Sequence, residues 1–195
     1  MTHRIITIGR QFGSGGRTIG KLVAQKLGIP CYDQELIEQI SQESGFTEEF
    51  VTAQSEDAPY SSWTATLLAS DRTYYQTTNQ DRIWAIQKKI ILDLAQREDC
   101  VIVGRCADTI LEGKADLLKV FIHADFDKRA QRIVEKYGET EVPTEKRLRD
   151  KDKRRALFYQ FYTDQKWGAL ENYHLTLNSG VLGIDKCVEI IASLY

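Results

Sequence analysis

Four of the chain's 13 glycines fall in its first sixteen residues, all in the segment Gly9-Arg10-Gln11-Phe12-Gly13-Ser14-Gly15-Gly16-Arg17-Thr18. Arg4 to Ile8, just before it, is a β-branched run that reads as a strand. From Thr18 the apolar residues Ile19, Leu22, Val23 and Leu27 recur at the spacing of a helix with one face on a core. Gly28, with Pro30 two residues on, predicts where that helix stops, and residues 29–32 read as a second short strand. Strand, glycine loop, helix and strand within about 30 residues form a βαβ element. Two strands joined in this way lie parallel, so the chain is committed to a parallel sheet with helices on its faces.

The remaining sequence continues that alternation. Residues 33–57 hold eight acids and no Lys or Arg, with Leu36, Ile37 and Ile40 giving a helical stripe, which predicts a solvated helical face. Residues 58–80 have no clean period and read as helix or loop. Ile83, Ile86, Ile90, Ile91 and Leu94 mark an amphipathic helix. Cys100 to Val103, ending at Gly104, and Leu118 to Ile122 are continuous apolar runs suited to strands buried on both faces. Helices follow at about 126–137 and 144–165, then a strand near 174–178 and a helix from about 184. The pattern predicts a three-layer α/β/α fold with a parallel sheet. We expect one domain over residues 1–195, with an acidic arm at about 33–80 and a helical lid at about 138–165.

Composition narrows the function classes. Lys and Arg total 26 against 28 Asp and Glu, a net charge of −2, so no global field draws the chain to nucleic acid. No apolar run approaches the roughly 20 residues that span a bilayer, and the first residues hold too short an apolar run for a signal peptide. These features lead us to expect a cytoplasmic protein. Cys31, Cys100, Cys106 and Cys187 show no CxxC spacing, which predicts free, buried thiols in place of a zinc site.

Glycines between a strand and a helix let backbone N–H groups approach an anion, and the helix N-terminus adds the positive end of its dipole. A phosphate-binding loop reads G-x-x-x-x-G-K-[ST]. Gly16-Arg17-Thr18 fits the last three slots with Arg in place of Lys, and Gln11 then stands in the first glycine slot. A second alignment takes Gly13-Ser14-Gly15 as the core of the loop, with Gly16 inserted. The dinucleotide fingerprint G-x-G-x-x-G is matched by Gly13 and Gly15, with Thr18 in its third glycine slot and Asp33 near the place of a ribose-binding acid. A bare turn is disfavoured because clustered glycines weaken a fold unless something approaches their backbone.

Beyond the loop, the chain resembles the cytidylate kinase-like family of P-loop nucleoside monophosphate kinases over nearly its whole length. The resemblance is carried by Gly9 to Arg17, Leu27-Gly28-Ile29-Pro30-Cys31-Tyr32-Asp33, and Val101-Ile102-Val103-Gly104-Arg105-Cys106-Ala107-Asp108. It continues through Asp152-Lys153-Arg154-Arg155, Tyr162-Thr163, Lys166-Trp167-Gly168 and Asn172-Tyr173-His174-Leu175 to Asn178-Ser179. It implies a P-loop NTPase fold and transfer of the γ-phosphoryl of ATP, with Mg²⁺, to CMP or dCMP. Two departures stand out: Arg17 replaces the loop lysine, and Asp108 follows Arg105 by three residues instead of directly.

These readings nominate specific residues. Gly13, Ser14, Gly15 and Gly16 would offer N–H donors to phosphate, Arg17 the charge, and Thr18 a hydroxyl to Mg²⁺. Arg105, at a strand end, suits an acceptor phosphate; Asp33 suits the acceptor nucleotide or a water on Mg²⁺, and Asp108 the acceptor's base or sugar. Glu145 to Arg155 holds seven basic residues and three acids, which reads as a mobile lid delivering Arg154 and Arg155 to the transferring group. Trp167, Tyr159 and Tyr162 read as packing residues. Kinases for other small phosphoryl acceptors, and a nucleotide-binding regulatory module without catalysis, fit the same residues.

Overall fold

The computed structural model describes residues 3–55 and 79–195. The unpatterned stretch at 58–80 therefore lies outside the described residues except for its last two positions, and Glu56 and Asp57 lie outside as well. Five strands, β1 (Arg4–Arg10), β2 (Cys31–Tyr32), β3 (Cys100–Val103), β4 (Asp116–His123) and β5 (Leu175–Asn178), form one parallel sheet in the order β2-β3-β1-β4-β5. β1 runs down the middle, with Ile5 opposite Cys100 on one side and Leu117 on the other.

The period of two along β1 and β3 sorts their side chains into two cores. Ile5, Cys100 and Ile102 face one layer, packed by α2 (Gln34–Ser44), α3 (Glu48–Ser55) and α4 (Asn79–Arg97). Ile6, Ile8, Val101 and Val103 face the other, covered by α1 (Gly16–Leu27) and α9 (Ile184–Ser193). Ile5, Ile6 and Ile8 are fully buried, each contributing about 1.5–3 kcal/mol of transfer free energy. The architecture is the three-layer α/β/α arrangement that the alternation predicts.

Helix α1 stops where expected: Gly28 takes a left-handed conformation (φ 69°) and its N–H returns to the carbonyls of Ala24 and Gln25. The basic stretch becomes α7 (Thr144–Thr163), which packs against α6 (Phe126–Tyr137). Its C-terminal half buries Phe158 and Tyr159, and Tyr162 stacks on Trp84 with centroids 4.2 Å apart. Two short helices absent from the sequence prediction, α5 (Ala107–Ile110) and α8 (Ser179–Leu182), follow β3 and β5. Among the described residues no helix is long and apolar enough to cross a membrane. Cys100, Cys106 and Cys187 are buried and Cys31 is partly exposed.

Candidate active site

The loop between β1 and α1 sits at the C-terminal end of the central strand, where open α/β sheets bind ligands. Gln11 N–H donates to Ile122 O on β4 (3.0 Å), and Ser14 Oγ bonds Gln11 O (2.9 Å), so the loop is pinned to the sheet edge. Gly13 (φ 80°) and Gly15 (φ 83°) both occupy the left-handed region that a side chain disfavours. A Cβ on Gly13 would lie 2.8 Å from Arg129 O, so the loop also packs against α6. The first α1 bond runs from Ile19 N–H to Gly15 O (2.9 Å), which leaves the N–H groups of Gly16, Arg17 and Thr18 ahead of the helical ladder. The first turn holds no acid and no side-chain cap.

A cavity lies over this loop. Gly13, Gly15, Gly16 and Thr18 line it together with five cations, Arg10, Arg17, Arg132, Lys136 and Arg155, and, among the described residues, with no acid. Arg132 and Lys136, four residues apart on α6, share a helix face, and Arg132 Nη1 donates to Gly13 O (3.1 Å). Asp152 of α7 accepts from Phe12 N–H (2.7 Å) and from Arg129 Nη1 (2.5 Å), fastening the basic helix to the loop. Ser14 is fully buried beneath the loop, and its carbonyl accepts from Ser179 Oγ (2.5 Å).

A second cavity adjoins the first around the end of β3. Gly9, Gly104, Arg105, Cys106, Asp108, Phe158, Tyr159, Trp167 and Tyr173 contribute to it, and Arg10 and Arg155 line both cavities. Gly104, Arg105 and Cys106 are three successive left-handed residues (φ 77°, 61° and 54°). For the two non-glycines this costs roughly 1–2 kcal/mol each, the kind of strain that gathers at functional sites. Asp108 is 7% exposed, and its carboxylate accepts from the Tyr159 hydroxyl (2.8 Å). Burial pushes the Asp108 pKa above the usual carboxylate value, with the Tyr159 hydrogen bond pulling the other way. Burial also drives the Cys106 thiol and the Tyr159 and Tyr173 hydroxyls up, so all three stay protonated at neutral pH.

The chain belongs to the cytidylate kinase-like family. The profile of that family matches residues 5–181. A cytidylate kinase of Archaeoglobus fulgidus is 31% identical over 192 residues, covering 95% of this chain and 91% of the relative. An uncharacterised protein from Eubacterium ventriosum, known from its crystal structure, superposes with a TM-score of 0.73 at 26% identity and 98% coverage of both chains. A shikimate kinase from Bacteroides thetaiotaomicron shares the fold, with a TM-score of 0.57 at 17% identity over all of this chain and 98% of that one. Membership of this family makes the protein a phosphotransferase of the kinase type.

Most of the nominated residues converge. Gly13, Gly15, Gly16, Arg17 and Thr18 line the first cavity, Arg105 and Asp108 the second, and Arg155 both. Ser14 lies behind the loop, and Arg154 is exposed on α7 and lines neither cavity. Asp33 is buried at the start of α2, where its carboxylate accepts from Arg17 Nε (2.5 Å). Tyr159 is buried in the core with Tyr162 and Trp167 packed against it, as anticipated, and Tyr159 and Trp167 also line the second cavity. Sequence reasoning passed over Arg132, Lys136 and Tyr173, and held Arg10 only as a fallback, beside a lid arginine, should Arg17 not carry the charge. The helical spacing of Arg132 and Lys136, and the position of Arg10 at the end of a predicted strand, were the available signals.

Proposed function

We propose that the protein transfers the γ-phosphoryl group of ATP to a nucleoside monophosphate, with CMP or dCMP as the first candidates. The observation that carries this is the pair of adjoining cavities, one rich in cations and free of acid, the other polar and aromatic, joined through Arg10 and Arg155. Phosphoryl transfer asks a protein chiefly to align two phosphates and neutralise their charge. In this arrangement an acceptor phosphate oxygen bonds to the γ-phosphorus while the bond from that phosphorus to the bridging oxygen of ADP breaks.

The residues fit both nucleotides. The loop Gly13–Gly16 and the first turn of α1 donate N–H groups to the β- and γ-phosphates, with Arg17, Arg132 and Lys136 balancing their charge. Among the described residues no cluster of three His, Cys, Asp or Glu could cage a metal ion. Mg²⁺ bound to the triphosphate would be held by the Thr18 hydroxyl and would supply charge neutralisation at the β- and γ-phosphates. Arg105 binds the acceptor phosphate, and Asp108, oriented by Tyr159, accepts a hydrogen bond from base or sugar. Asp33 acts through Arg17, which it orients. Arg155 reaches the transferring group from α7 directly, and exposed Arg154 joins it when that helix moves inward.

A nucleotide-binding module without turnover is the second reading. It is favoured by the Arg17–Asp33 ion pair, which neutralises the residue that stands in the lysine slot in one alignment of the loop. Steady-state release of ADP from ATP and Mg²⁺ with a panel of nucleoside monophosphates and other small acceptors separates the two. Turnover with CMP or dCMP at least tenfold above the other acceptors supports the proposal. ATP binding with no turnover for any acceptor supports the module.

A further inference from the structure

The loop lysine of a P-loop projects from the helix side of the loop onto the phosphates, and this chain has none at either candidate slot. Arg17 does not copy its geometry: the side chain is 45% exposed and its Nε is engaged by Asp33. Gly16, the first residue of α1, has no side chain to send anywhere. The direction in which a residue 16 side chain would leave is already filled. A Cβ there would lie 2.5 Å from Arg10 Cβ, 3.0 Å from Arg10 Cγ and 3.6 Å from Ile122 Cβ.

Arg10 is the last residue of β1 and is 7% exposed. Its side chain passes Gly16 and reaches the end of β3, where a Cβ on Gly104 would collide with its Nη1 and lie 2.8 Å from its Cζ. Two glycines on separate elements thus shape one channel for one arginine. With Gly15 in the second glycine slot of G-x-x-x-x-G-K-[ST], Arg10 occupies the first glycine slot and Gly16 the lysine slot. Cation and glycine have changed places across the loop. The guanidinium ends between the two cavities, on the path from donor to acceptor.

We propose that Arg10 is the cation that holds the transferring phosphoryl group in place of the loop lysine, with Gly16 and Gly104 leaving the room it needs. The proposal rests on the kinase function argued above. A buried guanidinium on a rigid strand can grip phosphate oxygens bidentately with little reorganisation, and low local dielectric strengthens the contact. Its place on the sheet gives the donor site a fixed charge that no lid movement has to deliver.

The test uses inorganic tripolyphosphate binding by calorimetry alongside turnover of ATP with the acceptor panel, on the full chain. Arg10→Met keeps much of the packing and removes the charge. It is expected to weaken tripolyphosphate binding at least tenfold and to lower kcat by about 10²-fold or more, as for loss of one transition-state contact. Arg10→Gly combined with Gly16→Lys moves the cation to the lysine slot, with Arg17 still standing where a regular loop has Ser or Thr, and it should recover binding to within about tenfold of wild type on the scale of a single charge contact. Arg10→Met that folds and binds tripolyphosphate within threefold of wild type overturns the proposal. If Arg10→Met does not fold, the double variant decides, and a folded double variant without tripolyphosphate binding is the contrary result. Gly15→Val separates the two levels. Loss of binding there with Arg10→Met unaffected leaves the loop assignment standing and removes Arg10 from it. A wild-type protein that binds neither tripolyphosphate nor ATP overturns the kinase reading as well.

Discussion

The two cavities at the strand ends share Arg10 and Arg155 and differ in what surrounds them. The loop cavity gathers three glycines and five cations beside Phe12, Ile133 and Tyr137, a make-up suited to charge at short range. The cavity beyond β3 adds to three arginines one buried carboxylate, aromatic rings and left-handed backbone, a make-up suited to rejecting ligands that lack the right hydrogen bonds. Many phosphorylated ligands satisfy the first, few the second. Under the proposed function the donor would be recognised by its phosphates, while selectivity for the acceptor would reside around Asp108.

Gly15→Val breaks the contrast most severely. A Cβ at Gly15 would lie 2.6 Å from Ile184 Cδ1, and φ is 83°, so the loop cannot keep its shape. We expect ATP binding to fall below detection in calorimetry, with the far-ultraviolet circular dichroism of the sheet and helices retained. Arg155→Ala strikes the junction. It should lower kcat by about 10²-fold with modest change in either KM, as for loss of a transition-state charge contact. Arg154→Ala, on an exposed residue, should lose less, and equal losses would show that α7 rotates in the working complex.

Arg105→Ala sharpens the division between cavities. It should raise KM for the monophosphate by about tenfold or more, the scale of one lost charged hydrogen bond, and leave KM for ATP within about twofold. Equal effects on both would dissolve the distinction between donor and acceptor sides. Asp108→Asn tests the same cavity with opposite signs for function and stability. Because burial raises the folded pKa of Asp108, its charge opposes folding at neutral pH, and that penalty vanishes as pH falls below the unfolded carboxylate value. The variant should therefore raise Tm at pH 7, lose that advantage near pH 3, and weaken acceptor binding throughout. The smallest effect belongs to Asp99, remote from both cavities, which accepts from Tyr195 Oη, Arg4 N–H and His3, bonds that hold its carboxyl below the usual range. Asp99→Asn should lower Tm at neutral pH by no more than about 2 °C, because solvent screens a carboxylate this exposed, with both KM values unchanged. The difference should fade as pH falls through the folded pKa of Asp99.

The fold was legible in the sequence because burial on both faces of a parallel strand leaves an unbroken apolar run, as in Cys100–Val103, and because α1 declares itself by a 3.6-residue stripe. The loop was legible as a glycine cluster. Which residue supplies its charge was not, since Arg17 is adjacent in sequence while Arg10 is adjacent in space, and only the Gly16–Arg10 approach distinguishes them. Tyr159 and Trp167 fit the pattern of packing residues because each buries most of a ring; that Tyr159 also presents a hydroxyl to Asp108 depends on how α7 crosses α5. Arg105 and Asp108, nominated for their place beyond a strand end, both line the cavity there.

Simultaneous occupancy of both cavities is the central claim, and a bisubstrate ligand measures it most directly. Adenosine and cytidine joined 5′ to 5′ through five phosphates carries the donor and acceptor phosphates in one molecule. Titrated into the protein with Mg²⁺, it should bind one to one and at least about 10²-fold tighter than ATP, because the second half binds at the high effective concentration set by the first. It should be displaced by ATP and by CMP alike. Binding no tighter than ATP, with displacement by ATP alone, would mean that the cavity beyond β3 holds no nucleotide.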